Sequence, residues 1–325
     1  MDTDRTILRL GTGVILFALL LQLFGGRLRW KPEREDLIRG LVFLQTGRVA
    51  EKAEPLPTSP AQPPTEAPTV PPETTPPKAV LTGADAAAVA IHNQTGYRVD
   101  VEKLMEQNLN WQLRGEEPTV LILHTHGTES YRNTEGYQES TKYRTEDENF
   151  NMISVGDRLT ALLEAGGIRV IHDRKPYDLP SYSGSYGQAR TAIEKVLEEY
   201  PSVLLILDLH RDAMTDAAGN QMAYTKGEAA KLMVVSGSDA GGLNYPGWEK
   251  NLSLAVKLQA LLEREEAGIC RPLSFRTGRY NQDLFPNMLL IEVGAAGNTR
   301  GEALLAMETL AAGILKMASG TEYAQ

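Results

Sequence analysis

The chain contains 325 residues, of which 42% are hydrophobic and 23% are charged, a composition typical of one sizeable folded domain with additional segments. Its net charge of -9 argues against a nucleic-acid binder, because such domains usually carry a basic face. The single cysteine, Cys270, excludes a disulfide framework and a thiolate zinc cluster, so any bound metal would depend on His, Asp or Glu ligands.

An apolar segment near the N-terminus is the first predicted element. Residues 10–26 carry no charge and lie between Arg9 and Arg27. A helix of this length rises about 1.5 Å per residue and just spans a hydrocarbon core of roughly 30 Å. A cleaved signal peptide is the alternative, but no small-x-small cleavage site follows the apolar segment. The sequence therefore predicts a membrane anchor over residues 1–30.

A juxtamembrane and proline-rich segment, residues 31–79, follows the predicted anchor. The basic residues that flank the anchor are Arg5 and Arg9 before it and Arg27, Arg29, Lys31 and Arg34 after it. By the positive-inside rule this count would leave the rest of the chain in the cytoplasm. Residues 54–78 contain ten of the 18 prolines and predict a disordered, extended spacer, although an ordinary interdomain linker has the same composition. A long spacer suits a domain that acts at a distance from a membrane.

The remaining chain comprises a predicted lead-in segment, residues 80–117, and a predicted catalytic domain, residues 118–325. In the larger segment, apolar runs of strand length alternate with amphipathic helical patterns. Strands are predicted at 119–124, 168–173, 202–212, 231–238 and 287–299, and helices at 149–167, 187–200, 248–268 and 300–318. This alternation predicts an α/β fold with a mostly parallel, twisted sheet flanked by helices.

Polar residues end or interrupt four of the predicted strands. Four of the five histidines lie there, namely His124, His126, His172 and His210. Glu129 follows the first strand closely, and Glu292 is embedded in the apolar run of the last strand. Because ligands collect at the carboxyl ends of strands in open α/β sheets, these side chains predict a metal or general-base site.

The spacing of these residues is compatible with catalytic zinc. His126 and Glu129 form an H-x-x-E pair, and His210 supplies a third ligand from another strand, which leaves one position for water. Glu292 is then the candidate general base, because a carboxylate in an apolar strand is less well solvated and more basic than a free one.

Several longer motifs resemble those of one family. They are LILHTHGTESY, RVIHDRKPYDLPSYSGSYGQAR, LILDLHRDA, YNQDLFPNMLLIEVGAAGNT and the alanine-rich last helix. Over residues 88–318 the chain resembles stage II sporulation protein P, a family of cell-wall hydrolases of endospore-forming bacteria. The resemblance implies a fold similar to that of zinc-dependent N-acetylmuramoyl-L-alanine amidases. It also implies a membrane anchor followed by an external enzyme domain, against the count of basic residues.

The resemblance further implies an activity, a cofactor and partners. The expected activity is Zn²⁺-dependent cleavage of the N-acetylmuramoyl-L-alanine bond of peptidoglycan, with an added endopeptidase activity on the stem peptides, during spore engulfment. The expected partners are a lytic transglycosylase and a membrane scaffold of the engulfment machinery. No nucleic-acid partner is expected. The expected location is the cell membrane at the sporulation septum, with one membrane pass and the catalytic domain outside the cytoplasm.

Individual site residues also follow from the resemblance. His126, His210 and Glu292 carry over as two zinc ligands and the base. The carboxylate ligand is Glu129 by the spacing, whereas a ligand that opens the first helix, as in the amidases, would be Asp147 or Glu148. The candidates for an alternative ligand or for a partner of the ligands are His124, Asp208 and Asp212. The predicted substrate contacts are Arg211, Asn281, Gln282 and Asp283. The last three lie in the segment YNQDLFP, residues 280–286, which forms either a substrate lip or an ordinary polar turn before a strand.

Two other classes of protein stay open at the level of the sequence. A metal-independent esterase or phosphatase needs an activated serine, but the chain has no G-x-S-x-G motif and only Ser130 lies near the predicted site. A non-catalytic wall-binding module would keep the fold and lose site residues. His126, His210 and Glu292 are all present, which favours the enzyme.

Overall fold

The computed structural model describes residues 76–132, 136–138, 140 and 142–324. The predicted anchor and nearly all of the predicted spacer lie outside these residues. Within the described part of the chain, no helix has the length and hydropathy that a membrane span requires.

The described residues form eleven strands and six α-helices. The strands are β1 (Ala79–Thr82), β2 (Ile91–Asn93), β3 (Val120–Leu123), β4 (Val170–His172), β5 (Leu205–Asp212), β6 (Thr225–Lys226), β7 (Ala229–Ala230), β8 (Leu232–Ser236), β9 (Leu273–Phe275), β10 (Met288–Ala295) and β11 (Thr321–Ala324). The helices are α1 (Gly83–Ala88), α2 (Val101–Met105), α3 (Met152–Ala165), α4 (Ser185–Glu199), α5 (Trp248–Glu265) and α6 (Arg300–Lys316). All strands and helices predicted beyond residue 118 are confirmed, with differences of a few residues at their ends.

Seven strands form one sheet in the order β2-β9-β8-β10-β5-β3-β4. Five of the six neighbouring pairs are parallel, and the pair of β8 and β10 is antiparallel. The predicted mostly parallel sheet is therefore confirmed. The reversal between β8 and β10 means that β3, β4, β5 and β10 direct their carboxyl ends to one edge, whereas β8 and β9 direct theirs to the other.

Helices cover the two faces of this sheet unequally. The large core cluster lies on the face that α3, α5 and α6 cover. On the other face, α4 packs against residues of β3, β5 and β10 such as Leu121, Ile206 and Met288. Because side chains alternate along a strand, Asp208 and His210 lie further along β5 on this second face, beyond the part that α4 covers.

Local sequence explains where the helices begin and end. The Asn151 side chain accepts a hydrogen bond from the backbone of Ile153 and caps the start of α3. α3 stops before a glycine pair, as predicted, and Gly167 adopts a positive φ of 82° that favours glycine. Thr299 and Glu302 form a capping box at the start of α6.

The predicted lead-in segment, residues 80–117, packs onto the domain. β1 pairs in parallel with β11 near the C-terminus, and β2 extends the main sheet beside β9. α2 packs against α5, where the Leu104 carbonyl accepts a hydrogen bond from Ser253 Oγ at 2.7 Å.

Lys257 is a buried cation in the middle of α5, with only 1% of its surface exposed. Its Nζ donates hydrogen bonds to the Leu104 carbonyl and to Ser253 Oγ, both at 2.6 Å. Burial lowers the pKa of Lys257 to about 7. The unfolded chain holds this proton to a higher pH than the fold does, so the fold loses stability when Lys257 is charged.

Lys257→Met is therefore expected to stabilise the fold at neutral pH and below. Wild-type stability should rise with pH between about 7 and about 10, because the unfolded chain binds more protons in this range. The variant's advantage, on the order of 1–3 kcal/mol near pH 6, should shrink over the same range. Urea unfolding at about pH 6 and about pH 9.5 measures both values, with the exposed Lys250→Met in the same helix as the control. An advantage that grows with pH would contradict this account.

Candidate metal centre

Polar side chains lie where β3, β5 and β10 reach the same edge of the sheet. β3 ends at Leu123, and the following residues, 124–130, form a buried loop. His210 of β5 is the register partner of Glu292 of β10, so their side chains lie side by side on neighbouring strands. Polar side chains from three separate segments therefore lie at one edge of the sheet, as the sequence predicted for the carboxyl ends of parallel strands.

His126, Glu129 and His210 come together at this edge and are all buried. One ligand atom from each residue lies within 4.8 Å of the other two. His126 Nδ1 is 3.6 Å from Glu129 Oε1, and His210 Nδ1 is 3.6 Å from Glu129 Oε2. The two imidazole rings are nearly perpendicular, with centroids 4.9 Å apart. The carboxylate thus lies between two ring nitrogens.

The outer nitrogens of the two rings also have neighbours. His126 Nε2 lies 3.1 Å from Ser185 Oγ at the start of α4. His210 Nε2 lies 3.0 Å from Asp208 Oδ1, at ion-pair distance but without hydrogen-bond geometry. Asp208 itself accepts hydrogen bonds from the backbone and the hydroxyl of Thr125, at 2.8 and 2.6 Å. These contacts restrict the orientation of both rings.

Two arginines surround the Glu129 carboxylate. Arg211 NH1 is 3.5 Å from Oε1, and the Arg211 backbone N–H donates to Oε2 at 3.3 Å. Arg144 NH2 lies 3.7 Å from Oε1. Burial alone would raise the pKa of Glu129, but the charge of Arg211 and the nearby His210 lower the pKa to about 2. Glu129 is therefore an anion at neutral pH.

Glu292 has the opposite electrostatic environment. It is buried in β10, and its Oε2 has no hydrogen-bond partner among the described residues. Burial raises the pKa of Glu292 to about 7, and the nearby charges of Glu129 and Asp212 add to the rise, whereas His210 opposes it. This carboxyl can therefore both accept and release a proton near neutral pH. The role of Glu292 as a base stays a prediction.

The donor set fits a zinc ion. Two imidazoles and one carboxylate are a common ligand set that leaves one coordination position open. Burial and the neighbouring His210 lower the pKa of His126 to about 4, so this ring is neutral and able to bind a metal. Burial opposes a charge on His210, but the carboxylates of Asp208 and Glu129 raise its pKa well above the usual value. Metal binding at His210 would therefore release a proton.

Sequence comparison places the chain among known proteins. A family model described as Stage II sporulation protein P matches residues 62–315, which is well over half of the chain. The chain belongs to the stage II sporulation protein P family. The stage II sporulation protein P of Bacillus subtilis (strain 168) is 27% identical over 223 residues, which cover 62% of this chain and 53% of that protein. The chain therefore spans about half the length of this relative.

Similar solved structures include N-acetylmuramoyl-L-alanine amidases. AmiC2 of Nostoc punctiforme has a TM-score of 0.39 at 14% identity, covering 62% of this chain and 98% of that one. The CwlD amidase from Clostridioides difficile, solved with the GerS lipoprotein, has a TM-score of 0.41 at 15% identity, with coverages of 62% and 98%. Ami1 from Mycobacterium smegmatis has a TM-score of 0.39 at 15% identity, with coverages of 62% and 96%.

His124, the alternative ligand in this family member, lies apart from the cluster. It is fully buried, and its Nδ1 lies 3.1 Å from the Leu209 carbonyl. Its Nε2 lies 2.9 Å from His172 Nε2, and His172 Nδ1 lies 3.1 Å from Asp157. The two rings fill the space left by Gly156 of α3, where any Cβ would overlap them. His124 therefore faces α3 and connects β3 to β4. Of the two histidines, His126 is the one that belongs to the ligand cluster.

The three other acidic candidates have partners elsewhere. Asp147 is exposed and accepts hydrogen bonds from Asn149. Glu148 is also exposed and pairs with Arg174. Asp212 pairs with Arg271 at 2.7 Å. Among the acidic residues that the sequence proposed around the ligands, the structure places Glu129 inside the cluster and Asp208 beside it.

The predicted substrate contacts have structural roles. Arg211 is buried, and besides its contact with Glu129 its guanidinium donates to the carbonyls of Ser130 and Tyr143. These contacts tie the guanidinium to Glu129 and to the neighbouring backbone. Gln282 is fully buried, accepts from the Gly237 backbone at 2.8 Å and donates to a backbone carbonyl of β8 at 2.9 Å. The burial of Arg211 and Gln282 favours a structural role, and their predicted substrate contacts stay predictions.

Asn281 and Asp283 hold the same loop to α4. Asn281 Nδ2 donates to the Tyr186 carbonyl at 2.8 Å. Asp283 pairs with Arg190 of α4 at 3.0 Å and with Arg279 at 3.2 Å. These contacts hold the loop to α4. The predicted function of residues 280–286 as a substrate lip stays a prediction.

Three residues near the ligands have no signal in the sequence. Tyr182 stacks on the His126 ring at 4.2 Å between centroids and is 51% exposed, which places an aromatic ring at the mouth of the site. Arg144 lies over the Tyr182 ring at 4.2 Å. Ser185 contacts His126, whereas Ser130, the serine that the sequence singled out, has its Oγ 2.8 Å from the Tyr137 hydroxyl.

Proposed function

We propose that this chain is a zinc-dependent peptidoglycan hydrolase that cleaves the amide bond between N-acetylmuramic acid and L-alanine. The observation that carries this proposal is the convergence of His126, Glu129 and His210 beside Glu292, in a member of the stage II sporulation protein P family. A three-residue ligand set and a separate buried carboxyl are the groups that metal-assisted hydrolysis of an amide requires.

The ligands and their supports have distinct roles in this proposal. His126, Glu129 and His210 hold the zinc ion. When bound, zinc supplies a Lewis acid that makes a water molecule more acidic and polarises a carbonyl oxygen. Arg211 keeps Glu129 ionised, so the site brings one full negative charge to the metal. Asp208 and Ser185 contact the outer ring nitrogens and hold the imidazoles in orientation.

Glu292 carries the proton in the proposed reaction. Amide hydrolysis removes a proton from the attacking water and adds one to the leaving nitrogen. With a pKa that burial raises to about 7, one carboxyl can do both in turn at neutral pH. Its place beside His210 on the neighbouring strand puts it at the same edge of the sheet as the ligands.

The biological setting is a further part of the proposal. We infer an additional cleavage of stem-peptide cross-links, a role in spore engulfment and partnership with a lytic transglycosylase and a membrane scaffold. Family membership supports this setting. We also infer a single N-terminal membrane anchor with the enzyme domain outside the cytoplasm. Protease added to intact protoplasts should then release the domain, and full protection would place the domain in the cytoplasm.

Digestion of purified peptidoglycan tests the chemistry. The protein should generate muramic acid without peptide together with free N-terminal L-alanine, both identified by mass spectrometry. A chelator should abolish these new ends and added Zn²⁺ should restore them. New ends that persist in chelator would contradict zinc dependence. Wall binding without any new ends would favour a non-catalytic binding module.

A serine hydrolase is the second candidate, because the structure places a serine beside a histidine. Ser185 Oγ lies 3.1 Å from His126 Nε2, and the other nitrogen of this ring faces Glu129. A nucleophile, a base and an acidic residue in this order are the groups of a catalytic triad. However, Ser185 is 1% exposed and the distance from His126 to Glu129 is 3.6 Å, which favours the metal site.

The two candidates differ in their response to one variant. If Ser185 orients His126, then Ser185→Ala should keep chelator-sensitive activity and lose no more than about 10- to 100-fold in zinc affinity. If Ser185 is the nucleophile, the variant should be inactive and the wild type should be insensitive to chelator.

A further inference from the structure

Arg276 lies on the sheet face that carries the candidate site. Ser274 of β9 is paired with Val235 of β8, and Val235 with Leu290 of β10. The Arg276 backbone N–H donates to β8 at 2.9 Å, so the strand pattern continues for one residue beyond β9. Because side chains alternate, Arg276 shares the face of Ser274, Val235, Leu290 and Glu292.

A row of aromatic rings connects Arg276 to the metal centre. The His126 and Tyr186 rings lie 5.5 Å apart, and the Tyr186 and Tyr280 rings lie 6.0 Å apart. The Arg276 guanidinium carbon is 5.9 Å from the centre of the Tyr280 ring. An extended peptide rises about 3.3–3.6 Å per residue, so a few residues of a peptide whose end lies at the metal centre would reach Arg276.

Among the described residues, the Arg276 guanidinium has no charged partner within ion-pair distance. Its Nε donates to Ser274 Oγ at 2.9 Å, and its remaining contact is with the ring and hydroxyl of Tyr280. It belongs to no ion pair with a described carboxylate. By contrast, Arg271 and Arg279, five residues before it and three after it, each pair with an aspartate.

The surroundings of Arg276 make this unpaired charge costly. Tyr280 packs on a small buried cluster of Met233, Val235 and Leu290 on the same face. Burial lowers the pKa of the half-buried Arg276, but the Tyr280 hydroxyl and the longer-range charges of Glu292 and Asp212 raise it overall, so the charge is retained. A guanidinium beside apolar surface is best compensated by an anion that can take its free N–H groups.

The loop that carries Tyr280 is held in an unfavourable backbone conformation. Tyr280 and Asn281 have φ angles of 53° and 58°, in the left-handed region that costs a bulky residue free energy. The side chains of Asn281 and Gln282 compensate by bonding the loop to α4 and to β8. The Tyr280 ring is therefore fixed between Arg276 and Tyr186.

We propose that Arg276 and Tyr280 form a recognition site for a carboxylate in the peptide part of the substrate, a few residues away from the scissile amide. A planar guanidinium can bind a carboxylate through two parallel hydrogen bonds, which gives both affinity and orientation. This inference rests on the proposed function, and it makes the enzyme selective for peptides that carry a negative charge at this position.

A matched set of substrates tests this site. One is a muramoyl-peptide with free carboxylates, and the others are the same compound with one or all peptide carboxylates converted to carboxamides. Arg276→Met should raise KM for the carboxylate substrate by about 10- to 100-fold, the worth of a charge-assisted hydrogen bond, with kcat within about twofold. It should leave the fully amidated substrate unchanged, and Arg276→Lys should restore part of the affinity.

Controls separate recognition from folding. Zinc content and the thermal midpoint of Arg276→Met should match wild type. Arg98→Met removes an exposed arginine from the cavity beside α2 and α5 and should leave KM and kcat for both kinds of substrate unchanged. Binding of the same uncleaved compounds to Glu292→Gln protein should give the same preference for the carboxylate without turnover.

Several outcomes would overturn the inference. An equal loss on the carboxylate and the carboxamide substrates, or a loss confined to kcat, would exclude carboxylate recognition. Carboxylate recognition would also be excluded if Arg276→Met affected hydrolysis only of walls that carry anionic phosphate polymers and not of isolated muramoyl-peptides. If wild type cleaves none of the substrates with zinc present, the proposed function fails, and the binding comparison still decides the role of Arg276.

Discussion

Glu292→Gln is expected to lower kcat by about 10²- to 10⁴-fold, the usual contribution of a positioned general base. The substitution keeps the size of the side chain and removes the carboxyl whose pKa burial raises to about 7. Zinc content should stay close to wild type, because the cluster of ligand atoms consists of His126, Glu129 and His210. Binding to intact peptidoglycan should also survive.

Elemental analysis, a wall-binding assay and the rate of appearance of new ends measure these three properties. Glu308→Gln, which makes the same chemical change in an exposed ion pair with Arg158, serves as the control and should be indistinguishable from wild type. If Glu292→Gln also loses its zinc, Glu292 is a ligand and the role of Glu129 must be reassigned. Near-normal activity would exclude Glu292 as the base.

His210→Ala is expected to remove most of the bound zinc and to reduce hydrolysis by more than about 10³-fold. It deletes one of three ligands and leaves Glu129 with a single histidine neighbour. The fold should persist, because Leu207 and Leu209 still anchor β5 in the core. Zinc content, circular dichroism and activity should be measured together.

Two further variants provide comparisons for the loss of zinc expected in His210→Ala. Asp208→Asn keeps all three ligands and removes only the carboxylate beside His210 Nε2, so zinc affinity should fall by about 10- to 100-fold. His92→Ala removes an exposed histidine on the edge strand β2 and should have no effect. A His210→Ala protein that retains one zinc per chain would show that the metal binds elsewhere.

The sequence predicted most of the sheet and the ligand cluster for a physical reason. The buried strands begin as apolar runs, and a polar side chain inside such a run, as His210 in β5 or Glu292 in β10, costs free energy unless it is paired or coordinated. Parallel strands present their carboxyl ends at one edge of a sheet, so three segments that are distant in the sequence could be predicted to meet there. His126, Glu129 and His210 meet there, as the H-x-x-E spacing and the strand ends indicated.

Other features depend on contacts that no local pattern encodes. His124 and His126 are two residues apart and would share a face in an extended strand, but β3 ends at Leu123 and the two rings separate. The reversed direction of β8 follows from its connections and not from its apolar composition. Ser185 and Tyr182 reach His126 from a segment more than fifty residues later, so only the tertiary fold brings them together.

The pairing of β1 with β11 has a mechanical consequence. β1 is the first strand of the described domain, and four residue pairs connect it in parallel to the last strand, from Ala79–Thr321 to Thr82–Ala324. Arg264 of α5 adds a hydrogen bond to the Val80 carbonyl at 3.0 Å. Any tension transmitted along the preceding chain meets β1 first and pulls along the strand, so it loads these hydrogen bonds together and not one after another. A load that enters through β1 must therefore break its pairing with β11 before β1 can separate from the domain.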